Sequence, residues 1–378
     1  MNQRRGEPLR IVHVAGSADW GGGERYLELL ARHLDRDRFA LTVVLPGEGA
    51  FAERLADLQI PVQVVDLERL VALSAIARLA ATLRGLTPDV VQSHGARSNF
   101  YARLAAALLP RRPRHISTVH NSLRDYPVSS LRRLTYRAMD RVTLPLSARV
   151  LCVAEALARD YPRRATVIPN GVDVNELEAA RGERLEIRRA LGLGVGPLIG
   201  FVGRLTPQKD PVTFLRALAA VRRDVPDAAG LLVGDGALRA DLELEATRLG
   251  LGGHCVFAGA RPDVPALLDA MDLFVLSSVS EGFPFVLLEA MAMARPVVAT
   301  AVNGVTELIR PDVDGILVAP GDPASIARAV LDLLRRPEHA RAVGAAARAR
   351  VADHFSVDRM VQQTERLYLE VAAAPDLP

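Results

Sequence analysis

The loop at residues 202–210, VGRLTPQKD, contains Lys209, the only lysine of the chain. The other 46 of the 47 basic residues are arginine. Because lysine offers a compact ammonium where arginine offers a planar fork, a single lysine indicates a position that arginine would not fill. Arg204 lies five residues before it, between a predicted strand and a predicted helix that opens near Asp210. Both cations can therefore meet one diphosphate group.

A second segment, SEGFPFVLLE at residues 280–289, places two carboxylates around the start of a predicted helix. Glu281 lies in the loop and Glu289 lies inside the helix. Each carboxylate can accept two hydrogen bonds from hydroxyl groups, which suits sugar recognition. Backbone N–H groups at a helix start can bind phosphate or sugar oxygens, and Pro284 has none to offer. The candidate donors here are the N–H groups of Gly282, Phe283, Phe285 and Val286.

Three further loops also follow predicted strands. The glycines of DWGGGE, Gly22 and Gly23 among them, let a backbone approach an anionic ligand at a helix start, or they form an ordinary flexible turn. Asn170, in IPNGVD, is either a ligand contact or part of an Asn-Gly turn. His120 ends a predicted strand and is either functional or an ordinary polar residue. His94 likewise follows the predicted strand Val90–Ser93. With no HxH, HExxH or Asp-x-Asp pattern, we expect no bound metal.

The composition indicates a globular chain, with 49% hydrophobic and 24% charged residues. No apolar run approaches the ~18 residues of a membrane span, and the N-terminus does not have the pattern of a signal peptide. Two cysteines in apolar surroundings, Cys152 and Cys255, fit a reducing compartment. We therefore expect a cytoplasmic protein. Nucleic acid is disfavoured as a partner, because only 4% of residues are aromatic and none interleave with a basic run.

Short apolar runs alternate with helical segments along the whole chain, which predicts parallel sheets flanked by helices, an α/β fold. Most runs are continuous, as in strands covered on both faces. The predicted strands are Arg10–Ala15, Leu41–Leu45, Val62–Val65, Val90–Ser93, His115–Val119, Val150–Val153, Thr166–Ile168, Leu198–Val202, Gly230–Val233, Cys255–Phe257, Leu273–Leu276, Pro296–Ala299 and Ile316–Val318.

The pattern breaks once, in a charge-dense and then glycine-rich stretch without a predicted strand. We expect a first α/β domain at residues 1–172, a linker at 173–195 and a second α/β domain at 196–352. Residues 353–378 are predicted to form a C-terminal helix and tail that can pack on either domain.

The net charge of +3 is unevenly divided. Residues 1–175 carry 25 basic and 17 acidic side chains, against 22 and 27 in the remainder. A basic amphipathic helix is predicted over Ser129–Arg141, with Leu131, Leu134 and Met139 available for its apolar side. Such a helix either lies on an anionic membrane surface or forms a solvated face. One expectation is therefore that this basic domain makes a peripheral contact with the inner face of the membrane.

At these residues the chain resembles the retaining glycosyltransferases of the GT4 family, the glycosyl transferases group 1. The resemblance covers nearly the whole chain and is most specific in its second half. It rests on GRLTPQKD at 203–210, GDG at 234–236, IPNGVD at 168–173 and SEGFPFVLLEAMAMARPVVAT at 280–300, followed by Gly304 and Glu307. The spacing of Glu281 and Glu289 matches the family's glutamate–seven residues–glutamate motif. The resemblance implies a GT-B fold, with two Rossmann-like parallel-sheet domains facing each other across a cleft.

It also implies a role for each matching residue. Arg204 and Lys209 would bind the donor diphosphate, Glu281 the donor sugar hydroxyls and Glu289 the ribose. The segment from Arg261 to Val264 would lie against the base. Gly22 and Gly23 would approach the phosphates or the transferred sugar, with His120 near the anomeric centre, and Asn170 belongs to the donor site. Pro284 departs from the family pattern, since many members have glycine there.

The implied reaction is metal-independent glycosyl transfer from a nucleoside-diphosphate sugar, with retention at the anomeric carbon, in polysaccharide or glycoconjugate biosynthesis. The acceptor would be a glycan, a lipid-linked molecule or a small molecule. Two alternatives share the architecture: a nucleotide-sugar epimerase of the GT-B fold and a non-catalytic protein that binds sugar nucleotides.

Overall fold

The computed structural model describes residues 7–67, 72–124, 128–182 and 184–374. These residues form two compact units. The described residues of Met1–Asn170 and Val357–Pro378 make up the first unit, and those of Gly171–Ser356 make up the second. The C-terminal helix of the chain therefore belongs to the first unit.

The described ranges contain thirteen strands and sixteen α-helices. The strands are β1 Leu9–Val14, β2 Phe39–Leu45, β3 Val62–Val64, β4 Val90–His94, β5 Arg114–Val119, β6 Arg149–Cys152, β7 Ala165–Val167, β8 Leu198–Val202, β9 Ala229–Val233, β10 Cys255–Gly259, β11 Leu273–Leu276, β12 Val297–Thr300 and β13 Ile316–Val318. The helices are α1 Gly22–His33, α2 Ala50–Asp57, α3 Leu73–Leu86, α4 Ala96–Ala107, α5 Ser130–Thr143, α6 Glu155–Ala158, α7 Val174–Ala179, α8 Arg184–Ala190, α9 Pro211–Asp224, α10 Arg239–Arg248, α11 Val264–Ala270, α12 Phe285–Ala292, α13 Val305–Leu308, α14 Pro323–Arg335, α15 Pro337–His354 and α16 Val357–Ala373.

The first unit is built on a seven-stranded sheet with the order β3-β2-β1-β4-β5-β6-β7. All of its strand pairs are parallel. Continuous apolar strands require cover on both faces, and β4 is buried along its whole length. The strand order reverses between β1 and β4, which is where open α/β sheets bind ligands at their carboxyl edge.

The second unit has a six-stranded parallel sheet in the order β10-β9-β8-β11-β12-β13. Strands β8 and β11 are fully buried, and the order reverses between them. Its core joins apolar side chains of the sheet to helices α9 and α14, including Phe201, Phe214 and Val330. The second ligand-binding edge is therefore expected at the carboxyl ends of β8 and β11.

Residues 173–195, predicted as a linker, form α7 and α8 and pack within the second unit. Asp272, just before β11, explains this packing. It accepts hydrogen bonds from Arg184, from Arg188 and from the backbone N–H of Leu198 at the start of β8. The charge-dense segment is therefore fixed to the sheet by ion pairs.

Helix α5 forms as predicted, but Met139 does not share the exposed apolar side with Leu131 and Leu134. Met139 is buried with its neighbour Asp140, whose Oδ1 accepts a 2.8 Å hydrogen bond from the fully buried Arg103 of α4. The ion pair turns this side of α5 toward α4, because a buried guanidinium needs a partner. Leu131 and Leu134 remain exposed.

Candidate functional site

The two loops that carry the strongest motifs meet at the point where the second sheet reverses its strand order. The loop of Arg204 and Lys209 follows β8, and the loop of Glu281 follows β11. These two strands are neighbours in a parallel sheet, so both loops leave from the same edge. The motifs therefore lie at the expected ligand-binding edge of this unit.

Four hydrogen bonds to main-chain carbonyl oxygens join these two loops. The Ser277 hydroxyl donates to the carbonyl oxygens of Lys209 and Asp210, at 3.1 and 2.8 Å. The Gln208 side chain donates to the Ser280 carbonyl at 3.1 Å, and the N–H of Val279 donates to the Gln208 carbonyl at 2.9 Å. The loops are therefore held as one assembly.

Lys209 and Glu281 form an ion pair inside this assembly. Lys209 Nζ lies 2.5 Å from Glu281 Oε1, and the Ser278 hydroxyl donates to the same oxygen at 2.6 Å. The Glu281 side chain is 5% exposed and that of Lys209 is 17% exposed. Within the described ranges, Oε2 of Glu281 makes no hydrogen bond, so it can accept one from a ligand hydroxyl.

Arg204, the other predicted diphosphate ligand, is exposed on the same loop. Within the part of the chain that the structure describes, its guanidinium makes no ion pair or hydrogen bond. Lys209 retains up to two further N–H donors, since one is directed to Glu281. The loop therefore carries one cation fixed by a buried carboxylate and one that is available to an anion.

The GDG motif at 234–236 supports this cation loop through its backbone. A Cβ at Gly234 would lie 2.0 Å from the Gly203 carbonyl oxygen, and a Cβ at Gly236 would lie 2.5 Å from that of Leu205. Both glycines also have positive φ, at 131° and 158°. The N–H of Leu205 donates to the Asp235 carbonyl across this close contact. Side chains at 234 or 236 would therefore displace the cation loop.

Helix α12 begins directly after the glutamate loop. Its N-terminus has no side-chain cap, and the N–H groups of Phe285 and Val286 precede the first intrahelical donors, so they can meet a phosphate or hydroxyl oxygen. The side chains of Phe283 and Phe285 are buried, so only their backbones can serve the ligand. Val286 and Glu289 are the half-buried positions of this helix, and at a spacing of three they share one face.

Arg261 and Val264 lie at the neighbouring end of the sheet, after β10. Two strand spacings separate β10 from β8, about 10 Å at roughly 4.8 Å each. The Arg261 guanidinium makes a two-pronged contact with Asp263, at 2.8 and 2.7 Å. This partner raises the pKa of Arg261 and lowers the pKa of Asp263. The Arg261 guanidinium is therefore paired with the Asp263 carboxylate, in the segment predicted to lie against the nucleotide base.

In the first unit, Gly22 and Gly23 open α1, and His120 follows β5. The Cβ position of Gly23 lies 3.6 Å from Cδ2 of His120, so the glycine loop and this imidazole are in contact range. Burial lowers the pKa of His120 to about 4. The predicted residues Gly23 and His120 are thus brought together.

His120 is joined to two residues that sequence reasoning did not select, His13 and Tyr368. His94 Nδ1 lies 3.0 Å from His120 Nε2, His13 Nδ1 lies 2.8 Å from His94 Nε2, and His13 Nε2 lies 3.0 Å from the Tyr368 hydroxyl. His13 stands inside an apolar strand and Tyr368 inside α16, so no motif pointed to them. The histidine within the strand run IVHVAG was the only available signal.

Asn170 is buried, and it is the last residue of the segment Met1–Asn170 that belongs to the first unit. It lies just before the second unit begins at Gly171.

Across the described ranges, no cluster of three or more His, Cys, Asp or Glu side chains is placed to hold a metal ion. Nor does any helix there combine the length and apolarity needed to cross a membrane.

Two family models together match most of the chain. The model described as Glycosyltransferase Family 4 matches residues 20–176, and that described as Glycosyl transferases group 1 matches residues 183–350. The 2-deoxystreptamine N-acetyl-D-glucosaminyltransferase of Streptomyces fradiae is 32% identical over 80% of this chain and 75% of its own length. The UDP-Gal:alpha-D-GlcNAc-diphosphoundecaprenol alpha-1,3-galactosyltransferase of Escherichia coli is 25% identical over 96% of this chain and 97% of its own.

The same architecture occurs in a solved structure. The crystal structure of Anabaena Alr3699/HepE with UDP-glucose superposes with a TM-score of 0.84 and 26% identity, over 96% of this chain and all of that one. The two parallel-sheet units correspond to the predicted GT-B fold. The matches span both units and include the loops that hold the Lys209–Glu281 pair. The chain belongs to the GT4-type glycosyltransferases, the glycosyl transferases group 1.

Proposed function

We propose that this glycosyltransferase moves a sugar from a nucleoside-diphosphate sugar to its acceptor without a metal ion and with retention at the anomeric carbon. The observation that carries the proposal is the Lys209–Glu281 pair, 2.5 Å between Nζ and Oε1, at the carboxyl ends of β8 and β11. In the proposed reaction the Lys209 ammonium binds the diphosphate and the buried Glu281 carboxylate binds sugar hydroxyls. The UDP-glucose complex of the Anabaena relative supports the donor class.

Departure of the leaving group builds negative charge on the diphosphate and positive, oxocarbenium-like charge on the sugar. Lys209 and Arg204 offset the first charge, together with the N–H groups that open α12. Glu281 accepts hydrogen bonds through Oε2 from hydroxyl groups of the transferred sugar. Glu289 accepts hydrogen bonds from hydroxyl groups of the ribose. The acceptor attacks the face from which the diphosphate leaves. Its proton passes to the departing phosphate oxygen, so charge and atoms balance.

The remaining predicted residues have lesser roles in this scheme. The segment from Arg261 to Val264 contacts the nucleotide base, and Asn170 contributes to donor binding. Gly22 and Gly23 allow close approach of the phosphates or sugar, and His120 lies near the anomeric carbon. These roles follow from the family resemblance, and each can be tested by substituting the residue and measuring transfer.

The acceptor is proposed to be presented at a membrane surface, as a lipid-linked intermediate of polysaccharide or glycoconjugate biosynthesis. The name of the Escherichia coli relative specifies a diphosphoundecaprenol acceptor, whereas that of the Streptomyces fradiae relative specifies a small molecule, 2-deoxystreptamine. Helix α5 favours the first class. Its one acidic residue, Asp140, is buried against Arg103, so the exposed charges of α5 are all basic and favour anionic lipid.

The experiment begins with thermal unfolding in the presence of UDP-, GDP- and ADP-sugars. The true donor at 100 times its dissociation constant should add about 2.7 kcal/mol to the free energy of unfolding. Incubation of that donor with undecaprenyl-diphosphate sugars, with short glycans and with aminocyclitols then identifies the acceptor. NMR of the product should show the anomeric configuration of the donor, and a chelator should leave the rate unchanged.

Three outcomes would contradict the proposal. A product with inverted configuration would exclude retention. Release of an epimerised nucleotide sugar or free epimer without acceptor would identify an epimerase. Donor binding with neither transfer nor slow hydrolysis across the whole acceptor panel would identify a non-catalytic binding protein.

A further inference from the structure

Three imidazole rings in the first unit form a continuous hydrogen-bonded chain. It runs from Tyr368 on α16 through His13 on β1 and His94 at the end of β4 to His120 after β5, with atom separations of 3.0, 2.8 and 3.0 Å. His13 and His94 are buried, whereas His120 is partly exposed. Adjacent rings are nearly parallel, at 16° and 17°. The chain therefore links a buried hydroxyl to an accessible imidazole.

All three imidazoles are neutral at physiological pH. Burial lowers the pKa of His13 to about 3 and the pKa of His120 to about 4. It lowers the pKa of His94 well below its usual value, with smaller contributions from the two neighbouring rings. A neutral imidazole carries one N–H and one acceptor nitrogen. Each bond of the chain thus has one direction, and the direction at one end determines the tautomer at the other.

Gln92 determines that direction. Its amide nitrogen donates to the Thr118 hydroxyl at 2.7 Å, which leaves its oxygen to accept the Tyr368 hydroxyl proton at 2.6 Å. The Tyr368 oxygen must then accept from His13 Nε2. His13 Nδ1 accepts from His94 Nε2 in turn, and His94 Nδ1 accepts from His120 Nε2.

We propose that Tyr368 and His13 are positioning residues that act through His94 to hold His120 as the tautomer with its proton on Nε2. Nδ1 of His120 then presents a lone pair to a hydroxyl group of the bound sugar or acceptor. Within the described ranges, no protein group bonds to this nitrogen. The inference deepens the proposed function and rests on it for the identity of the hydroxyl donor.

The location of His120 supports a ligand role for that nitrogen. The ring lies against the Gly23 loop through its Cδ2–Nε2 edge, at 3.6 and 3.7 Å from the Cβ position of that glycine. Because Nε2 is engaged by His94, only Nδ1 remains for a ligand. A neutral acceptor nitrogen favours a hydroxyl over a phosphate oxygen, which has no proton to donate.

The test is the tautomer of His120, read from side-chain ¹⁵N and ¹³C chemical shifts of histidine-labelled protein without substrate. We expect the Nε2–H form in the unaltered chain. Tyr368→Phe removes the hydroxyl oxygen that accepts the hydrogen bond from His13 Nε2. His120 should then become a mixture of tautomers. The value of kcat/KM should then fall in proportion to the remaining Nε2–H fraction, by about tenfold where that form drops to roughly one tenth.

Tyr101→Phe is the matched control. Tyr101 is fully buried in the same unit, and its hydroxyl interacts with the backbone of Ala72. Both variants lose one buried hydroxyl, so a general packing defect would affect both equally. We expect Tyr101→Phe to keep the Nε2–H tautomer and the activity.

An Nδ1–H form of His120 in the unaltered chain would overturn the inference without any variant. An unchanged tautomer in Tyr368→Phe would do the same. These readouts need no substrate, so they are separable from the proposed function. The expected tautomers together with no transfer from any nucleotide sugar would instead defeat the proposed function.

Discussion

Lys209 Nζ and Glu281 Oε1 lie 2.5 Å apart although 72 residues separate them in the chain. The pair is possible because β8 and β11 are adjacent at the point where the strand order reverses. Glu281 is nearly fully buried, and Ser278 donates to the same oxygen. The glutamate therefore fixes the position of the chain's only lysine, and the lysine neutralises a carboxylate that would otherwise be costly to bury.

Replacement of this lysine tests its role in transfer. We expect Lys209→Ala to lower kcat by at least about 10²-fold, because a donor to the leaving diphosphate is lost. Lys209→Arg should recover only part of the rate, since a planar fork does not reproduce a compact ammonium. Steady-state kinetics with the identified nucleotide sugar provide the measurement. Arg216→Ala, which removes an exposed cation paired with Glu245, is the control and should leave kcat unchanged.

A near-normal kcat in Lys209→Ala would contradict this role. Loss of stability alone could mimic a loss of activity, because the variant leaves Glu281 with Ser278 as its described partner. Unfolding of Lys209→Ala, Glu281→Ala and the double variant Lys209→Ala/Glu281→Ala measures the stability effect separately and gives the coupling between the two residues. Contacting residues commonly show coupling of 0.5–3 kcal/mol, so we expect about 1 kcal/mol or more for this pair.

Gly304 tests the packing that holds the glutamate loop. A Cβ at this position would lie 1.8 Å from the Gly282 carbonyl oxygen and 3.1 Å from the Phe283 ring. We expect Gly304→Ala to push the loop away, to reduce the free energy of unfolding by about 1–3 kcal/mol and to reduce donor affinity. Gly252→Ala is the control, because its Cβ would meet no atom within 4 Å. Equal donor affinity in both variants would show that the contact does not position Glu281.

The sheets could be predicted from sequence because their strands are short, apolar and buried on both faces. All thirteen predicted strands are present, and their ends differ by at most two residues. Strand order was not predictable, since apolar runs do not specify their neighbours. The contact between Lys209 and Glu281 depends on that order. Sequence reasoning therefore selected both residues but assigned them to different ligand groups, without their ion pair.

The members of the histidine chain were harder to predict from sequence than the strands. His120 was predicted because it ends a strand, and His94 was noted for the same reason. His13 and Tyr368 are 355 residues apart in sequence, and both lie inside regular elements with apolar neighbours. Their contact requires α16 to pack on the first unit, whereas the sequence allowed it to pack on either domain. A histidine within an apolar strand run is the one local signal for His13, and nothing local distinguishes Tyr368 from an ordinary core position.

Buried histidines predict a pH-dependent stability. Burial lowers the folded-state pKa of His13 to about 3 and of His120 to about 4, and lowers those of His94 and His115 well below 6.5. Each is neutral in the folded chain and binds a proton on unfolding below about pH 6.5. The free energy of unfolding should therefore fall as the pH falls from about 6.5 toward these lowered values, and these groups add no further loss below them.

The slope gives a direct measurement. Each such histidine contributes up to about 1.4 kcal/mol per pH unit near pH 5.5, so denaturant unfolding at pH 6.5, 6.0 and 5.5 reports how many protons are taken up. His115→Gln should reduce that number by about one, since His115 is fully buried among Ser93, Ser147 and Arg103. A slope equal to that of the unaltered chain would show that His115 is already protonated when folded.

The exposed side of α5 tests the membrane surface proposed for the acceptor. Leu131, Leu134 and Val142 are 75%, 63% and 78% exposed, which is unusual for three large apolar side chains on one helix. Arg132, Arg137 and Arg141 are exposed on the same helix, so apolar insertion and attraction to anionic headgroups can act together. We expect the chain to sediment with vesicles containing phosphatidylglycerol, more weakly with neutral vesicles, and less at high salt.

The triple variant Leu131→Ser/Leu134→Ser/Val142→Ser should reduce vesicle partitioning by at least about tenfold, since insertion of even one such side chain is worth about 1.5 kcal/mol or more. Leu244→Ser/Val195→Ser is the matched control, because it removes exposed apolar side chains, 58% and 91% accessible, from the second unit. If the triple variant and the control bind vesicles equally well, α5 is an ordinary solvated helix. If binding is lost while transfer to a soluble acceptor analogue persists, α5 acts in presenting the lipid-linked substrate and has no part in the chemistry.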